Sequence, residues 1–247
     1  MQIAHATDIG LMRSTNQDAF TAHTFSDNAA LVIVCDGMGG TSAGHIASSS
    51  AVKIISEQVV ANFKPDMSSN SIKSLLQTAV TAANISIYDM QTSVKELKGM
   101  GTTVVACLIS SNIAHIIHAG DSRAIILNED LTYNQITVDH SIVQTMVESG
   151  ELTENEARSH PRKNIITRAL GVNETIELDY NEVDIKPTDT ILLCTDGLTN
   201  FVSYENIQQI FKDNEFLQVT QALVDTANAA GGGDNITAVI VKEQTNG

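Results

Sequence analysis

The chain contains few cysteines and few prolines, and these shortages exclude several protein classes. Its 247 residues include 3 cysteines and 3 prolines. Cys35, Cys107 and Cys194 are odd in number, form no Cys-x-x-Cys pair and lie in apolar runs, so neither a disulfide framework nor a zinc ribbon is indicated. We interpret them as small buried side chains in a reducing cytosol.

Long apolar runs and linker-like segments are also missing. No run reaches the roughly 18 apolar residues of a membrane-spanning helix, and residues 1–5 lack the basic and apolar regions of a signal peptide. No Pro/Gly/Ser-rich linker divides the chain, and its dense glycine run at 231–233 lies inside a candidate site. We therefore predict one domain over residues 1–247, located in the cytoplasm and not in a membrane.

Positive charge is scarce. The chain has 14 lysines and arginines against 29 aspartates and glutamates, which gives a formal net charge of −15. This balance argues against nucleic acid as a partner, because affinity for the phosphate backbone depends on lysine and arginine. It also opposes the binding of phosphorylated molecules, unless bound cations reverse the sign of the charge locally.

Four aspartates lie beside glycines at the ends of apolar, strand-like runs: Asp36, Asp121, Asp196 and Asp234. Any single Asp-Gly pair is more often a hairpin turn than a ligand site. Four such residues could converge at one end of a sheet, where their mutual repulsion would require bound cations. An oxygen-only ligand set of this kind suits Mg²⁺ or Mn²⁺.

A further segment places an arginine near another carboxylate, since residues 13–18 read RSTNQD. Seven more segments follow in order: 34–40 (VCDGMGG), 101–103 (GTT), 120–123 (GDSR), 139–141 (DHS), 167–171 (TRALG), 194–198 (CTDGL) and 232–237 (GGDNIT). Together they resemble the metal-dependent serine/threonine protein phosphatases of the type 2C, or PPM, family, in a short bacterial form. The resemblance covers nearly the whole chain, so it predicts a protein phosphatase.

The apolar pattern and the resemblance together predict the fold. Runs of strands are interrupted by two helical stripes, one from Ala43 to Phe63 and one from Ile72 to Val94, which favours an α+β class. The resemblance implies a four-layer α-β-β-α sandwich of two mainly antiparallel sheets flanked by helices, with a metal cleft at one end. It also implies that residues 145–166, roughly, form a flap within the single domain.

The remaining elements follow from periodicity. Strands are predicted at 3–7, 19–24, 29–35, 102–109, 113–119, 123–127, 131–138, 176–183, 190–195 and 236–241. Shorter helices are predicted at 142–148, 206–211 and 217–230.

The resemblance assigns metal-binding roles to particular oxygen atoms. Asp36 would bridge two Mg²⁺ or Mn²⁺ ions, and the carbonyl oxygen of Gly37 would be a further ligand. Asp196 and Asp234 would complete the shell of one ion, while Asp18 would hold a metal-bound water. Two ions about 3.5–4 Å apart would activate water for in-line attack on phosphorus.

Two more residues receive roles in the same way. Arg13 is the expected phosphate clamp, because its planar guanidinium can bind two phosphate oxygens at once, and with Asp36 it forms the expected catalytic pair. Asp121 would bind a third ion shared with Asp196. A purely structural turn at 121–123 fits these residues equally well.

No motif supplies a proton donor for the leaving group. Family members with Asp-Gly-His-Gly-Gly have a histidine where this chain has Met38, and bacterial members often have one at the place of Thr41. His45 is the nearest imidazole, and we interpret it as a histidine on a helix surface.

Parts of the sequence are compatible with two other functions. Residues 120–124 (GDSRA) approach the Gly-x-Ser-x-Gly elbow of serine hydrolases, but they end in alanine and lead into a strand. The alternative is a non-catalytic phosphoprotein-binding or sensory module on the same fold. Loss of the metal-binding aspartates would indicate such a module. The expected partners are phosphorylated proteins, including a serine/threonine kinase and its targets.

Overall fold

The computed structural model describes residues 1–40 and 43–244 of the chain. The strands in this part are β1 (Gln2–Asp8), β2 (Asp18–Ser26), β3 (Ala29–Met38), β4 (Gly101–Thr102), β5 (Val104–Ser110), β6 (Ile113–Ala119), β7 (Arg123–Leu127), β8 (Tyr133–Gln135), β9 (Asp179–Asp184), β10 (Thr190–Cys194) and β11 (Ile236–Lys242). The helices are α1 (Ala43–Asn62), α2 (Ser69–Ser93), α3 (Ile142–Glu148), α4 (Glu154–Ser159), α5 (Asp196–Thr199), α6 (Tyr204–Asp213) and α7 (Phe216–Ala229). None of the helices in these two ranges combines the length and apolarity that crossing a membrane requires.

The strands form two sheets. One has the order β1-β11-β10-β7-β8, and the other has the order β2-β3-β5-β6-β9 with β4 paired to β3. Every pairing between strands in the described ranges is antiparallel. The turn between β5 and β6 uses left-handed φ angles of 53° at Ser111 and 63° at Asn112, as the asparagine there predicts.

Alternation of side chains along the strands separates three apolar layers. On β3, Leu31 and Ile33 belong to the layer shared with α1 and α2, whereas Val32 and Val34 belong to the layer between the sheets. A third layer, which includes Leu192, packs the outer face of the five-stranded sheet against α6 and α7. The molecule is therefore the predicted four-layer α-β-β-α sandwich.

Several elements differ from the sequence-based expectation; the strand predicted at 176–183, for example, is β9, Asp179–Asp184. Three of the differences have local reasons. β3 continues to Met38, because Gly37 and Met38 pair with β4, so Asp36 lies within a strand and not after one. The strand predicted at 131–138 is reduced to β8, and it starts later because Leu131 has a left-handed φ of 63°. Asp196 is the first residue of α5 and not part of a hairpin turn.

Residues 142–166 form two short helices outside the sandwich. The hydroxyl of Ser141 caps α3 by accepting the N–H of Gln144, and Thr153 forms a capping box with Glu156 at the start of α4. An antiparallel bridge between Ser141 and Ile166 joins the two ends of the segment. The segment therefore leaves the sandwich and returns to it at one place.

Candidate metal and phosphate site

The site lies where the apolar layer between the two sheets ends. Val34 of β3 faces this layer, and the next position on the same face is Asp36. On β2, Phe20 packs against the same layer and is preceded on that face by Asp18, which pairs directly with Asp36 in the ladder. The two-residue period of a strand therefore brings both carboxylates to the same end of the sandwich.

The five-stranded sheet contributes hydroxyl groups beside these two carboxylates. Thr195 follows β10 and Thr237 lies on β11, and both continue rows that face the apolar layer through Leu193 and Val239. Thr195 Oγ1 and Thr237 Oγ1 donate hydrogen bonds to Asp18 Oδ2 over 2.9 and 2.6 Å. Asp18 is thus held in a fixed orientation by the residue that follows β10 and by a residue of β11.

Three further carboxylates come from the connections at this end. Asp121 lies between β6 and β7, Asp196 begins α5, and Asp234 precedes β11. With Asp36 and Arg13 they line a cleft of about 450 Å³. The structure therefore brings these five predicted site residues together.

Burial and proximity change the acidity of these carboxyl groups. Burial raises the pKa of Asp36 well above its usual range, and the charge of Asp18 raises it further. Burial raises the pKa of Asp18 to about 7. It raises the pKa of Asp196 to about 6, with an added contribution from the charge of Asp234. Asp36 therefore retains its proton near neutral pH, and Asp18 does so in part, unless other cations replace these protons.

The residues present fit divalent cations. The cleft offers the carboxylates of Asp36, Asp121, Asp196 and Asp234, which are hard oxygen ligands suited to Mg²⁺ or Mn²⁺. Oδ1 of Asp196 and Oδ1 of Asp18 are buried and have no hydrogen-bond partner in the described part of the chain. An orphaned buried oxygen is costly, and ligation to an ion or contact with a bound water would satisfy it.

Arg13 lies at the mouth of the cleft. Its Nη2 donates a hydrogen bond to Asp234 Oδ2 over 2.8 Å, yet 54% of its side chain is exposed. The hydrogen bond to Asp234 raises the pKa of the guanidinium, and the charges of Asp36 and Asp196 raise it further. Arg13 is therefore a permanent cation beside the carboxylates that remains accessible from solvent.

Asn235 holds the loop that carries Arg13. Its side-chain amide donates to the carbonyl oxygens of Ile9 and Thr15 over 2.9 and 3.0 Å, and its side-chain oxygen accepts the N–H of Gln17 over 2.8 Å. The side chain of Asn235 therefore shapes this loop through three hydrogen bonds.

Gly37 lines the cleft, and its lack of a side chain has a reason that the sequence did not reveal. A Cβ at this position would lie 2.2 Å from the carbonyl oxygen of Gly44 and 2.6 Å from that of Gln17. The N–H of Gly37 donates to the Gln17 carbonyl over 3.1 Å. Glycine is needed here because the first turn of α1 approaches the backbone closely.

For several side chains that support the site, the sequence motifs predicted no role. They are Gln17, Thr103, Thr195 and Thr237. Gln17 Nε2 donates to the Gly40 carbonyl over 3.1 Å, and Thr103 Oγ1 accepts the N–H of Asp36 over 2.9 Å. The signal that could have found the threonines is the two-residue period, because each continues an inward-facing row beyond its last apolar residue.

Met38 lines the cleft, and none of the lining residues in the described ranges is a histidine. Thr41 lies outside those ranges. His45 is exposed on α1, with Nδ1 3.4 Å from Ser49 Oγ, which agrees with the interpretation of His45 as a residue of the helix surface.

A second group of ligand-type side chains lies outside the cleft. Ligand atoms of His118, His140 and Asp179 are within 4.8 Å of one another. Arg168 Nη1 lies 3.0 Å from His140 Nε2 and donates to Asp179 Oδ1 over 2.8 Å. A guanidinium thus already supplies positive charge there, so we interpret the group as a structural network.

Comparison with known proteins identifies the family. The profile described as Protein phosphatase 2C matches residues 12–238. The serine/threonine phosphatase Stp of Listeria welshimeri is 37% identical over 243 residues, which cover 98% of this chain and 96% of the relative.

Solved structures agree with this match. Stp1 from Staphylococcus aureus superposes with a TM-score of 0.92 at 30% identity, covering 99% of this chain and 95% of that one. The catalytic domain of the phosphatase PstP, solved with two manganese ions, superposes with a TM-score of 0.84 at 33% identity, covering 98% and 97%. The family and the fold expected from the motifs are thereby confirmed, and the chain belongs to the protein phosphatase 2C family.

Proposed function

We propose that this protein is a serine/threonine protein phosphatase that hydrolyses phosphoserine and phosphothreonine on proteins, with Mg²⁺ or Mn²⁺ as cofactor. The observation that carries the proposal is the convergence of Asp36, Asp121, Asp196 and Asp234 on one cleft with Arg13 at its mouth. Membership of the family and the two manganese ions of PstP support it. A non-catalytic module is disfavoured, because all the expected carboxylates are present.

The ligand assignment is carried over from the family resemblance, and the lining of the cleft supports it. Two ions would be held by Asp36, the carbonyl oxygen of Gly37, Asp196 and Asp234, and a third ion by Asp121 together with Asp196. When bound, such ions supply an activated water and neutralise charge on the phosphoryl group.

The chain's own residues bind and orient the substrate. The guanidinium of Arg13 would bind two phosphoryl oxygens in a fork, which fixes the phosphorus relative to the carboxylates. Asp18 accepts hydrogen bonds from Thr195 and Thr237 at Oδ2, which leaves Oδ1 available to orient a water. Arg13 and Asp36 are the proposed catalytic residues.

A second, larger groove suggests how a protein substrate is accommodated. It has a volume of about 620 Å³, shares Asp121 and Asp196 with the cleft, and is lined by Arg158 and Lys163 of the segment at 142–166. The chain flanking a phosphorylated residue would lie in this groove. We therefore retain the proposal of one domain, 1–247, with a flap at about 145–166.

The cellular setting is also a proposal. A serine/threonine kinase and its targets are the expected partners, because a phosphatase of this specificity reverses such a kinase. A cytoplasmic location fits the three buried, unpaired cysteines. Nucleic acid is disfavoured by the net charge of −15.

The proposed function is tested by phosphate release from a phosphothreonine peptide with Mn²⁺ and with EDTA. We expect release that depends on Mn²⁺ and is lost in Asp36→Asn. A wild-type protein that binds the phosphopeptide but releases no phosphate at any Mn²⁺ concentration would support the non-catalytic module.

A further inference from the structure

Two buried hydroxyl groups join the sheets beside the carboxylates. Thr103 Oγ1 and Ser122 Oγ lie 2.7 Å apart, and the residues are 3% and 1% exposed. Thr103 stands between β4 and β5 of one sheet, and Ser122 directly precedes β7 of the other. Both continue inward-facing rows, beyond Val105 and Ala124 respectively. The pair therefore connects the two sheets at the end where the cleft opens.

Thr103 fixes the backbone of Asp36. Its N–H donates to the Asp36 carbonyl over 2.8 Å, and its Oγ1 accepts the Asp36 N–H over 2.9 Å. Thr102 Oγ1 donates to the same carbonyl over 2.8 Å. Asp36 is thus held through both of its backbone polar groups by residues of the 101–103 segment.

The turn that carries Asp121 packs closely against Thr103. Gly120 has a φ of +110°, and a Cβ there would lie 2.6 Å from Thr103 Cγ2. On its other side, the carbonyl oxygen of Gly120 accepts a hydrogen bond from the backbone N–H of His140 over 3.0 Å. The N–H of Gly120 donates to His140 Nδ1 over 3.1 Å. The turn is therefore held between Thr103 and His140, with Ser122 as its hydrogen-bonded contact to Thr103.

We propose that Thr103 and Ser122 are positioning residues, whose hydroxyl pair sets the separation of Asp36 and Asp121 and hence the geometry of the cations that these carboxylates bind. Once they ionise to bind cations, the two carboxylates repel each other, so the protein must hold them in place through other contacts. Metal affinity commonly falls when a residue that forms hydrogen bonds to a metal ligand loses those bonds. This inference rests on the proposed function, since it takes the carboxylates to be metal ligands.

The test uses substitutions that remove a hydroxyl with little change of shape. Thr103→Val leaves the Asp36 N–H without its acceptor, Ser122→Ala removes the other half of the pair, and Thr103→Ser retains the hydroxyl. Thr220→Val is the matched control, because Thr220 is equally buried but lies on α7 and does not line the cleft. Mn²⁺ binding to each full-length variant is measured by isothermal titration calorimetry, after circular dichroism has verified folding in EDTA.

We expect Thr103→Val and Ser122→Ala each to weaken the weakest Mn²⁺ site by about three- to tenfold, the size of one lost hydrogen bond. The double variant should bind no more weakly than the weaker single variant, because both changes break the same contact. Thr103→Ser should bind within about twofold of the wild type, and Thr220→Val should match it.

Several outcomes would overturn the inference. Wild-type Mn²⁺ binding in folded Thr103→Val and Ser122→Ala would show that the pair has a structural role only, and strictly additive losses would show that the two hydroxyls act separately. If Thr103→Val does not fold, Ser122→Ala decides alone. The wild type is titrated first, and if it binds no Mn²⁺, the proposed function itself is wrong and this inference falls with it.

Discussion

Arg13 Nη2 and Asp234 Oδ2 are 2.8 Å apart, although the residues are separated by 221 positions in the chain. Asp234 is also a proposed metal ligand, so a guanidinium and a divalent cation compete for the same carboxylate. Occupation of Asp234 by an ion would weaken the pair and make the guanidinium available to a phosphate. Metal binding and phosphate binding are therefore expected to favour each other.

Replacing Arg13 by alanine should mainly raise KM for phosphorylated peptides. One charge-assisted hydrogen bond contributes roughly 1.5–3 kcal/mol, which corresponds to about ten- to a hundredfold. Inhibition by free phosphate should weaken by a similar factor, and Arg13→Lys, which keeps the charge but loses the fork, should fall between. Steady-state kinetics with unchanged KM and phosphate inhibition would remove Arg13 from the site.

Loss of any central ligand should abolish most activity. Asp36→Ala, Asp196→Ala and Asp234→Ala should each reduce the rate on p-nitrophenyl phosphate by at least about 10²-fold, because each weakens metal binding. EDTA should have the same effect on the wild type. Asp225→Ala, an exposed position on α7, is the control. Full activity of metal-free wild type would contradict this prediction.

Asp121→Ala should reduce the rates on small esters and on phosphopeptides to different extents. If Asp121 holds a third ion, the loss should be modest on p-nitrophenyl phosphate and larger on phosphothreonine peptides. Rates on both substrates are compared across a Mn²⁺ titration. Wild-type behaviour on both at every concentration would support the structural turn.

The metal-free protein should lose stability as pH rises through the range in which Asp18 ionises. Its folded pKa of about 7 lies above the value of about 3.9 expected in the unfolded chain. The folded state therefore holds more protons between these values, and the free energy of unfolding falls with increasing pH. Denaturant unfolding in EDTA from pH 4.5 to 7.5, roughly, should show a steeper fall for wild type than for Asp18→Asn. Parallel curves would refute the assignment.

His45→Gln should leave the pH profile for phosphothreonine peptides nearly unchanged, since His45 does not line the cleft. p-Nitrophenyl phosphate serves as the reference substrate, because its good leaving group does not need protonation. A selective loss on the peptide would identify His45 as the proton donor.

The sequence alone determined the family, the fold class and the types of ligand atoms. The order of motifs names the family, and two-residue and helical periods locate most strands and helices. The carboxylates at 36, 121, 196 and 234 could be recognised as one group because each lies beside a glycine at the end of an apolar run. Local sequence patterns predicted the bounds of a strand least well where pairing with another strand decides them, as at β8 and at the end of β3.

Only the tertiary structure decided which polar atoms are partners. The hydroxyl pair of Thr103 and Ser122 and the bonds from Thr195 and Thr237 to Asp18 all join residues that are distant in sequence or belong to different sheets. Periodicity states which face of a strand a residue occupies, but it carries no information on what lies opposite. The partner of a buried polar group depends on how the two sheets are stacked, and that follows from packing of the whole chain.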